Sequence, residues 1–378
     1  MTNAVIAGYA RSPFAPARKG GLTRVRPDEM AAEVVRALVA RSKVNPEDIE
    51  DIIVGCAFPE AEQGLNVARL IALLADLPIT VAGATVNRFC GSSMYSIHMA
   101  AGAIAMGAGE AFIAVGVESM TRVPMGGYNP MPSPALHAKN PAAYMGMGDT
   151  AENVAQRWQI TREAQEEFAL ASHMKASAAQ TAGRLADEIV PITRSKANAT
   201  QDECIRHDAS REGFASLKPA FDANGTVTAG TSSPLTDGAS AVLVCSEDYA
   251  RTHGLTVMAR IAAVAVAGCA PDIMGIGPVA ASRKALARAG ITAREIDVVE
   301  LNEAFASQAL ACMRELELEA ARVNLDGGAI ALGHPLGATG ARITGKAAQL
   351  LQRQGGRYAL ATQCIGGGQG IATVLEAV

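Results

Sequence analysis

Hydrophobic positions along the chain fall into short continuous runs separated by stretches of helical spacing. Residues 51–55, 81–87, 111–117, 239–245, 298–302 and 358–362 are rich in Val, Ile and Ala and too short for helices. Runs of this kind mark strands covered on both faces, and they predict mostly parallel strands between layers of helices. The opening residues, from Met1 to Arg11, lack a charged segment followed by a long apolar core, so they predict a first strand and not a leader.

One piece of this pattern occurs twice. Val35-Arg36-Ala37-Leu38-Val39-Ala40-Arg41 leads through Asn45-Pro46-Glu47-Asp48-Ile49 to the run at 51–55, and Ser282-Arg283-Lys284-Ala285-Leu286-Ala287-Arg288 leads through Thr292-Ala293-Arg294-Glu295-Ile296 to the run at 298–302. Both copies go from amphipathic helix through polar turn to buried strand, so the repeat predicts two similar α/β halves. One half comprises residues 1–120 plus 238–245, and the other residues 246–378. The intervening 121–237 differs in character, with Met, Pro and Gly clustered over 120–147 and polar amphipathic helices over 150–184. Long insertions in a rigid scaffold commonly carry ligand contacts, so this one is expected to be a binding subdomain.

The chain has 378 residues, more than one ordinary domain, and its 49% hydrophobic but 4% aromatic content predicts cores of Ala, Val, Ile and Leu. A net charge of -4 excludes a general polyanion binder, and with it nucleic acid, while leaving room for one basic pocket. Seven cysteines, odd in number and not closely paired, are expected to be thiols of a reducing compartment, which places the protein in the cytoplasm. No apolar run of about 18 residues suggests a membrane span.

Cysteines in apolar stretches are ordinarily packing, and Cys56, Cys204, Cys245, Cys269 and Cys312 are read so. Cys90 differs, because Val86-Asn87-Arg88-Phe89-Cys90-Gly91-Ser92-Ser93-Met94 is a strand breaking into small residues before an Ala-rich helix. A thiol at a helix start meets unpaired N-H groups and the helix dipole, which predicts a lowered pKa and a nucleophile. A second motif, Asn324-Leu325-Asp326-Gly327-Gly328-Ala329-Ile330-Ala331-Leu332-Gly333-His334-Pro335-Leu336-Gly337-Ala338-Thr339-Gly340, surrounds one histidine with glycines that permit close ligand approach. It lacks the Lys-Ser/Thr of a phosphate loop, and His334 is either a base or a surface histidine. A third, Gln363-Cys364-Ile365-Gly366-Gly367-Gly368, sets another thiol beside exposed amides able to hold an oxyanion. Asn302, in Leu301-Asn302-Glu303-Ala304-Phe305, is either an orienting residue or a helix cap. A zinc site would need paired ligand spacing that these residues lack.

Together these four motifs resemble those of the thiolase family, and the resemblance extends over nearly the whole chain. It implies the thiolase fold, with two βαβαβ-type halves in a five-layered α-β-α-β-α core and an inserted loop domain. It implies CoA-dependent cleavage of 3-oxoacyl-CoA to acetyl-CoA and a shortened acyl-CoA, and the reverse Claisen condensation. In it Cys90 carries the acyl group, His334 takes the Cys90 proton and Cys364 protonates the departing carbanion. His334 and a water held by Asn302 form one oxyanion pocket, and the N-H groups of Cys90 and Gly366 form the other. Arg206 and Ser233 are expected to contact CoA, and Met147, Met274 and Phe305 to line the acyl end; Arg206 is otherwise a surface charge. CoA is the co-substrate, and no other cofactor and no metal is implied.

Two departures favour the degradative β-oxidation type over a biosynthetic acetoacetyl-forming enzyme. Gly146 stands where the latter carry histidine, and the 120–147 loop is short. A non-catalytic acyl-CoA binder and a two-histidine ketoacyl synthase are the rivals, the second opposed by Cys364. Gln363 replaces the apolar residue usual before the acid cysteine. Relatives form homodimers, with a homotetramer or a complex with a hydratase/dehydrogenase chain as alternatives.

Overall fold

The structure, a computed structural model, describes residues 2–194 and 197–378. Met1, part of the expected opening strand, lies outside them. Among the described residues ten strands form: β1 (Ala4–Arg11), β2 (Ala15–Pro16), β3 (Ile49–Gly55), β4 (Ala82–Val86), β5 (Ala111–Ser119), β6 (Thr236–Ser246), β7 (Ala259–Gly268), β8 (Val298–Leu301), β9 (Tyr358–Ile365) and β10 (Gln369–Glu376). Nine of them run in the order β4-β3-β5-β6-β1-β7-β10-β9-β8, and β2 pairs with β6.

The expectation of mostly parallel strands fails. β3 is parallel to β4 and β5, and β8 to β9, but β6 is antiparallel to β5 and β1, and β10 is antiparallel to β7 and β9. The reversal from β9 to β10 is made by Gly366-Gly367-Gly368, where Gly367 and Gly368 adopt φ of 80° and 86°. So short a connection permits only antiparallel neighbours. A continuous apolar run reports that both faces are covered, not which way the neighbour points. β6, buried at every position, is the clearest case.

Alternate residues of each strand face different layers. In β5, Ile113 and Val115 join a core with the outer helices Pro27–Ser42 and Val67–Leu74, while Phe112 and Ala114 face inward. The C-terminal half does the same with the outer helices Gly277–Ala289 and Ala306–Glu315. Between the two halves lie the helices Ser92–Ala105 and Leu336–Gln354, whose Met94, Ile97, Ile343 and Leu350 share one apolar core with the inner faces of both. The result is five layers, α-β-α-β-α. The halves are also hydrogen-bonded into one sheet, through Val5↔Arg260 and Ile6↔Ala259 of β1 and β7. The central helices meet backbone to backbone at Gly340, where a Cβ would fall 2.3 Å from the Met94 nitrogen.

The repeated helix-turn-strand unit recurs in three dimensions, with 3-10 turns at Pro46–Asp48 and Ala293–Glu295 leading into β3 and β8. It extends further than the sequence pattern. Cys90 precedes the first central helix as His334 precedes the second, each by two residues. The segment between β5 and β6 grips both halves. Arg11 of β1 is fully buried and pairs with Glu188 at 2.7 Å and Asp202 at 2.6 Å, while Ser172 donates to Glu303 at 2.6 Å. A buried guanidinium is stable only when its charge and donors are matched in this way.

Candidate active site

β4 delivers the chain to the loop that carries Cys90. Phe89 adopts φ of 43°, a left-handed conformation unfavourable for a large side chain. The loop is locked around it. Asn87 Oδ1 accepts from Phe89 N-H at 2.8 Å, Ser92 Oγ accepts from Arg88 N-H at 2.9 Å and donates to the Phe89 carbonyl at 2.6 Å. Gly91 N-H donates to the Arg88 carbonyl at 2.9 Å.

Cys90 is 3% exposed, and burial pushes its thiol up to about 11, against the pull of the Gly366 and Cys90 N-H groups; buried Glu118 adds to the rise. This corrects the expectation of a lowered thiol pKa. Removing the thiolate from water costs more than the backbone donors return, so the resting group is S-H and needs a base.

His334 is fitted to be that base. It follows Gly333, at φ of 103°, where a Cβ would press on the Thr236 side chain at 2.7 Å. His334 Nδ1 lies 2.6 Å from Thr339 Oγ1, and that hydroxyl donates its one proton to the Pro335 carbonyl at 3.1 Å. The hydroxyl therefore accepts from Nδ1-H, which leaves Nε2 unprotonated, with its lone pair an acceptor. Asn302 Nδ2 donates toward Nε2 at 3.4 Å. Burial, and then Arg342, lower the His334 pKa to about 3, so the imidazole is neutral.

Asn302 follows β8, its N-H bonded to the Thr362 carbonyl at 3.0 Å, and the residue capping the next helix is Phe305. The helix-cap alternative for Asn302 is thereby excluded. Cys364, at the end of β9, is wholly buried, and burial followed by the nearby Cys90 raises its pKa well above that of a free thiol. It is held protonated and can give a proton.

One cavity of about 260 Å³ brings Cys90, His334 and Cys364 together with Met147, Ser233, Met274 and Phe305. Asn302 and Gly366 border it indirectly, one through His334 and the other through the Cys90 sulfur. Arg206 is not in this cavity. It is exposed and lines a second one, of about 390 Å³, which shares Ser232, Pro234 and Leu235 with the first. A third, of about 430 Å³, continues past His173 and Arg206 toward His207. Among the described residues no cluster of three or more His, Cys, Asp or Glu has the placement of a metal site.

Several contributors escaped the sequence reading. Thr339, which fixes the histidine tautomer, gave only the signal of a hydroxyl one turn after His334. Lys19 joins Arg206 in the second cavity from a distant part of the chain. Met120, Met125 and Phe221 complete the apolar wall. Glu118, the penultimate residue of β5, accepts N-H bonds from Ala57 at 2.8 Å and Gly337 at 2.9 Å. It thus ties the first turn after His334 to the other half.

Comparison with known proteins matches residues 4–248 to the model "Thiolase, N-terminal domain" and residues 255–377 to "Thiolase, C-terminal domain". The chain is 48% identical over 387 residues to a 3-ketoacyl-CoA thiolase of Vibrio vulnificus (strain YJ016), covering all of both chains. Proteins of the same name from Vibrio cholerae serotype O1 (strain ATCC 39315 / El Tor Inaba N16961) and Shewanella frigidimarina (strain NCIMB 400) are each 49% identical, again end to end.

Proposed function

The chain belongs to the thiolase family, and from that premise we propose that Cys90, His334 and Cys364 carry out the thiolytic cleavage of 3-oxoacyl-CoA. The meeting of two thiols and a neutral imidazole in one apolar cavity carries this assignment. The protein is an acyltransferase of the degradative type, like the relatives named 3-ketoacyl-CoA thiolase.

His334 Nε2 takes the Cys90 proton as sulfur attacks the keto carbon of the substrate. The bond between C2 and C3 then breaks, leaving the acyl group on sulfur. The electron pair stays with the acetyl-CoA fragment, which takes the Cys364 proton. CoA thiol restores that proton to Cys364 and attacks the acyl-cysteine, and Cys90 leaves as a thiolate that recovers its proton from His334. The N-H groups of Cys90 and Gly366 hold the oxyanion formed at each attack, and a fixed donor of this kind is worth about 3 kcal/mol. Asn302 orients His334 on the side where the enolate oxygen develops.

Met120, Met125, Met147, Met274, Phe221 and Phe305 give the acyl chain an adaptable apolar wall. Gly146, also in the wall, keeps it free of a polar ring. CoA, as co-substrate and without a further cofactor, runs from Ser233 through the second cavity toward Lys19 and Arg206, cations suited to its phosphates. Residues 121–237 serve as the CoA-binding subdomain. A homodimer through β4 is supported by that strand's position at the sheet edge, half-exposed along its length. No helix among the described residues is long and apolar enough to cross a membrane.

Mass spectrometry after incubation with acetoacetyl-CoA should find an acetyl group on Cys90, and none in Cys90→Ala. In Cys364→Ala, acetyl-CoA should still acylate Cys90 while carbon-carbon cleavage is lost. An acyl group on another cysteine, or unaltered cleavage in Cys364→Ala, would overturn the assignment.

A further inference from the structure

β9 touches three parts of the site with three consecutive residues. The Thr362 carbonyl accepts from Asn302 N-H at 3.0 Å, Gln363 Nε2 donates to the Cys90 carbonyl, and Cys364 faces the cavity. Gln363 is the anomaly among them. It is fully buried on the inner face of its strand, between Ala361 and Ile365, where the surrounding core is apolar. Its Oε1 has no hydrogen-bond partner among the described residues, and an unpaired buried acceptor is costly. An apolar side chain of the same length would fill the position without that cost. The one compensating contact is the bond to the nucleophile's own carbonyl.

That bond spans the two halves. The contacts that lock residues 87–92 come from within the N-terminal half, and they restrain a loop strained at Phe89. Among the described residues two hydrogen bonds join the loop to the C-terminal half: Arg88 Nη1 donates to Gln369 Oε1 at 2.9 Å, and Gln363 Nε2 donates to the Cys90 carbonyl. Only the second reaches the nucleophile. Beside it the halves are pressed together, since a Cβ on Gly91 would fall 2.5 Å from Ile365 Cδ1. Gln363 stands three residues before Gly366, whose N-H shares the Cys90 sulfur with the Cys90 N-H. The two donors therefore belong to different halves, and the Gln363 amide joins the segments that carry them.

Resting on the reading of Cys90 as nucleophile, we propose that Gln363 is a positioning residue that fixes the Cys90 peptide against β9. It sets the separation of Cys90 from Gly366 and Cys364. No proton or electron passes through it. Its effect is geometric: a displacement of about 1 Å at a reacting group can cost about 100-fold in rate.

The test compares wild type with Gln363→Met, which keeps length and volume but cannot donate, and Gln363→Leu, which is apolar and likewise cannot donate to a carbonyl. Thiolysis of acetoacetyl-CoA by CoA should lose about 10- to 100-fold in kcat in both, with KM for each substrate within about threefold of wild type. Alkylation of Cys90 by iodoacetamide, followed on the Cys90 peptide, should slow in parallel, and circular dichroism should match wild type. A purely packing role predicts that Gln363→Met is as active as wild type, or better. Wild-type kcat and alkylation rate in a folded Met variant would overturn the proposal, as would a folded Leu variant of full activity if the Met variant does not fold. Failure of wild type itself to acylate Cys90 would instead remove the underlying assignment.

Discussion

The hydroxyl of Thr339 is the point at which the base can be altered without touching the reacting atoms. Thr339→Val preserves the shape of a fully buried side chain and removes the acceptor 2.6 Å from His334 Nδ1. The Pro335 carbonyl keeps its bonds from Ala338 N-H at 2.8 Å and Thr339 N-H at 3.1 Å, so only the imidazole loses a partner. A buried donor left unsatisfied costs about 1–3 kcal/mol. The ring escapes this cost by moving its proton to Nε2 or by turning, and either change removes the lone pair that must accept from Cys90. At about 1.4 kcal/mol per tenfold, kcat should fall about 5- to 150-fold.

The assay is thiolysis of acetoacetyl-CoA at saturating CoA, with Thr339→Ser as the control that restores the hydroxyl. Serine should stay within about threefold of wild type, valine should show the full loss, and KM for CoA should be unchanged in both. Equal activity of folded Val and Ser variants would refute the tautomer assignment. The same geometry sets the sign of a pH effect. His334, held at about 3 by burial and Arg342, is already deprotonated at every working pH, so kcat/KM should show no acid limb near pH 6.5.

Two further outcomes follow from the same structure. Because burial holds the Cys90 thiol at about 11, its alkylation rate should rise about tenfold per pH unit from pH 7 to 9; a plateau below pH 8 in peptide-resolved labelling would show a lowered pKa instead. Asp326→Asn should destabilise the fold by about 3 kcal/mol in urea at pH 7, because the buried carboxylate meets Arg184 at 3.0 Å, Lys346 at 2.9 Å and Arg353 at 2.7 Å. These cations hold its folded pKa below the unfolded value, so its contribution is complete above about pH 4 and lost as pH falls through the folded pKa. The gap between variant and wild type should narrow in acid, and a gap constant from pH 7 to pH 3 would exclude the ionic origin.

The sequence by itself determined the family, the reaction and the three side chains expected to carry it. Those properties reside in local motifs whose residue types are dictated by chemistry: a thiol at a helix start, a histidine among glycines, a second thiol beside exposed amides. It also determined the repeated unit, because a helix, a turn and a buried strand each leave a periodic trace. Strand direction left no such trace, since Val and Ile runs are alike in parallel and antiparallel sheets covered on both faces. The protonation state of Cys90 was likewise decided by tertiary structure. A helix start is visible in sequence, but the desolvation that outweighs it comes from Ala57, Met120 and Leu336, which pack on Cys90 from distant parts of the chain. Gln363 is the same case at a single residue. In sequence it was an unexplained polar substitution in a strand, and only the approach of β9 to the nucleophile loop gives its amide a partner.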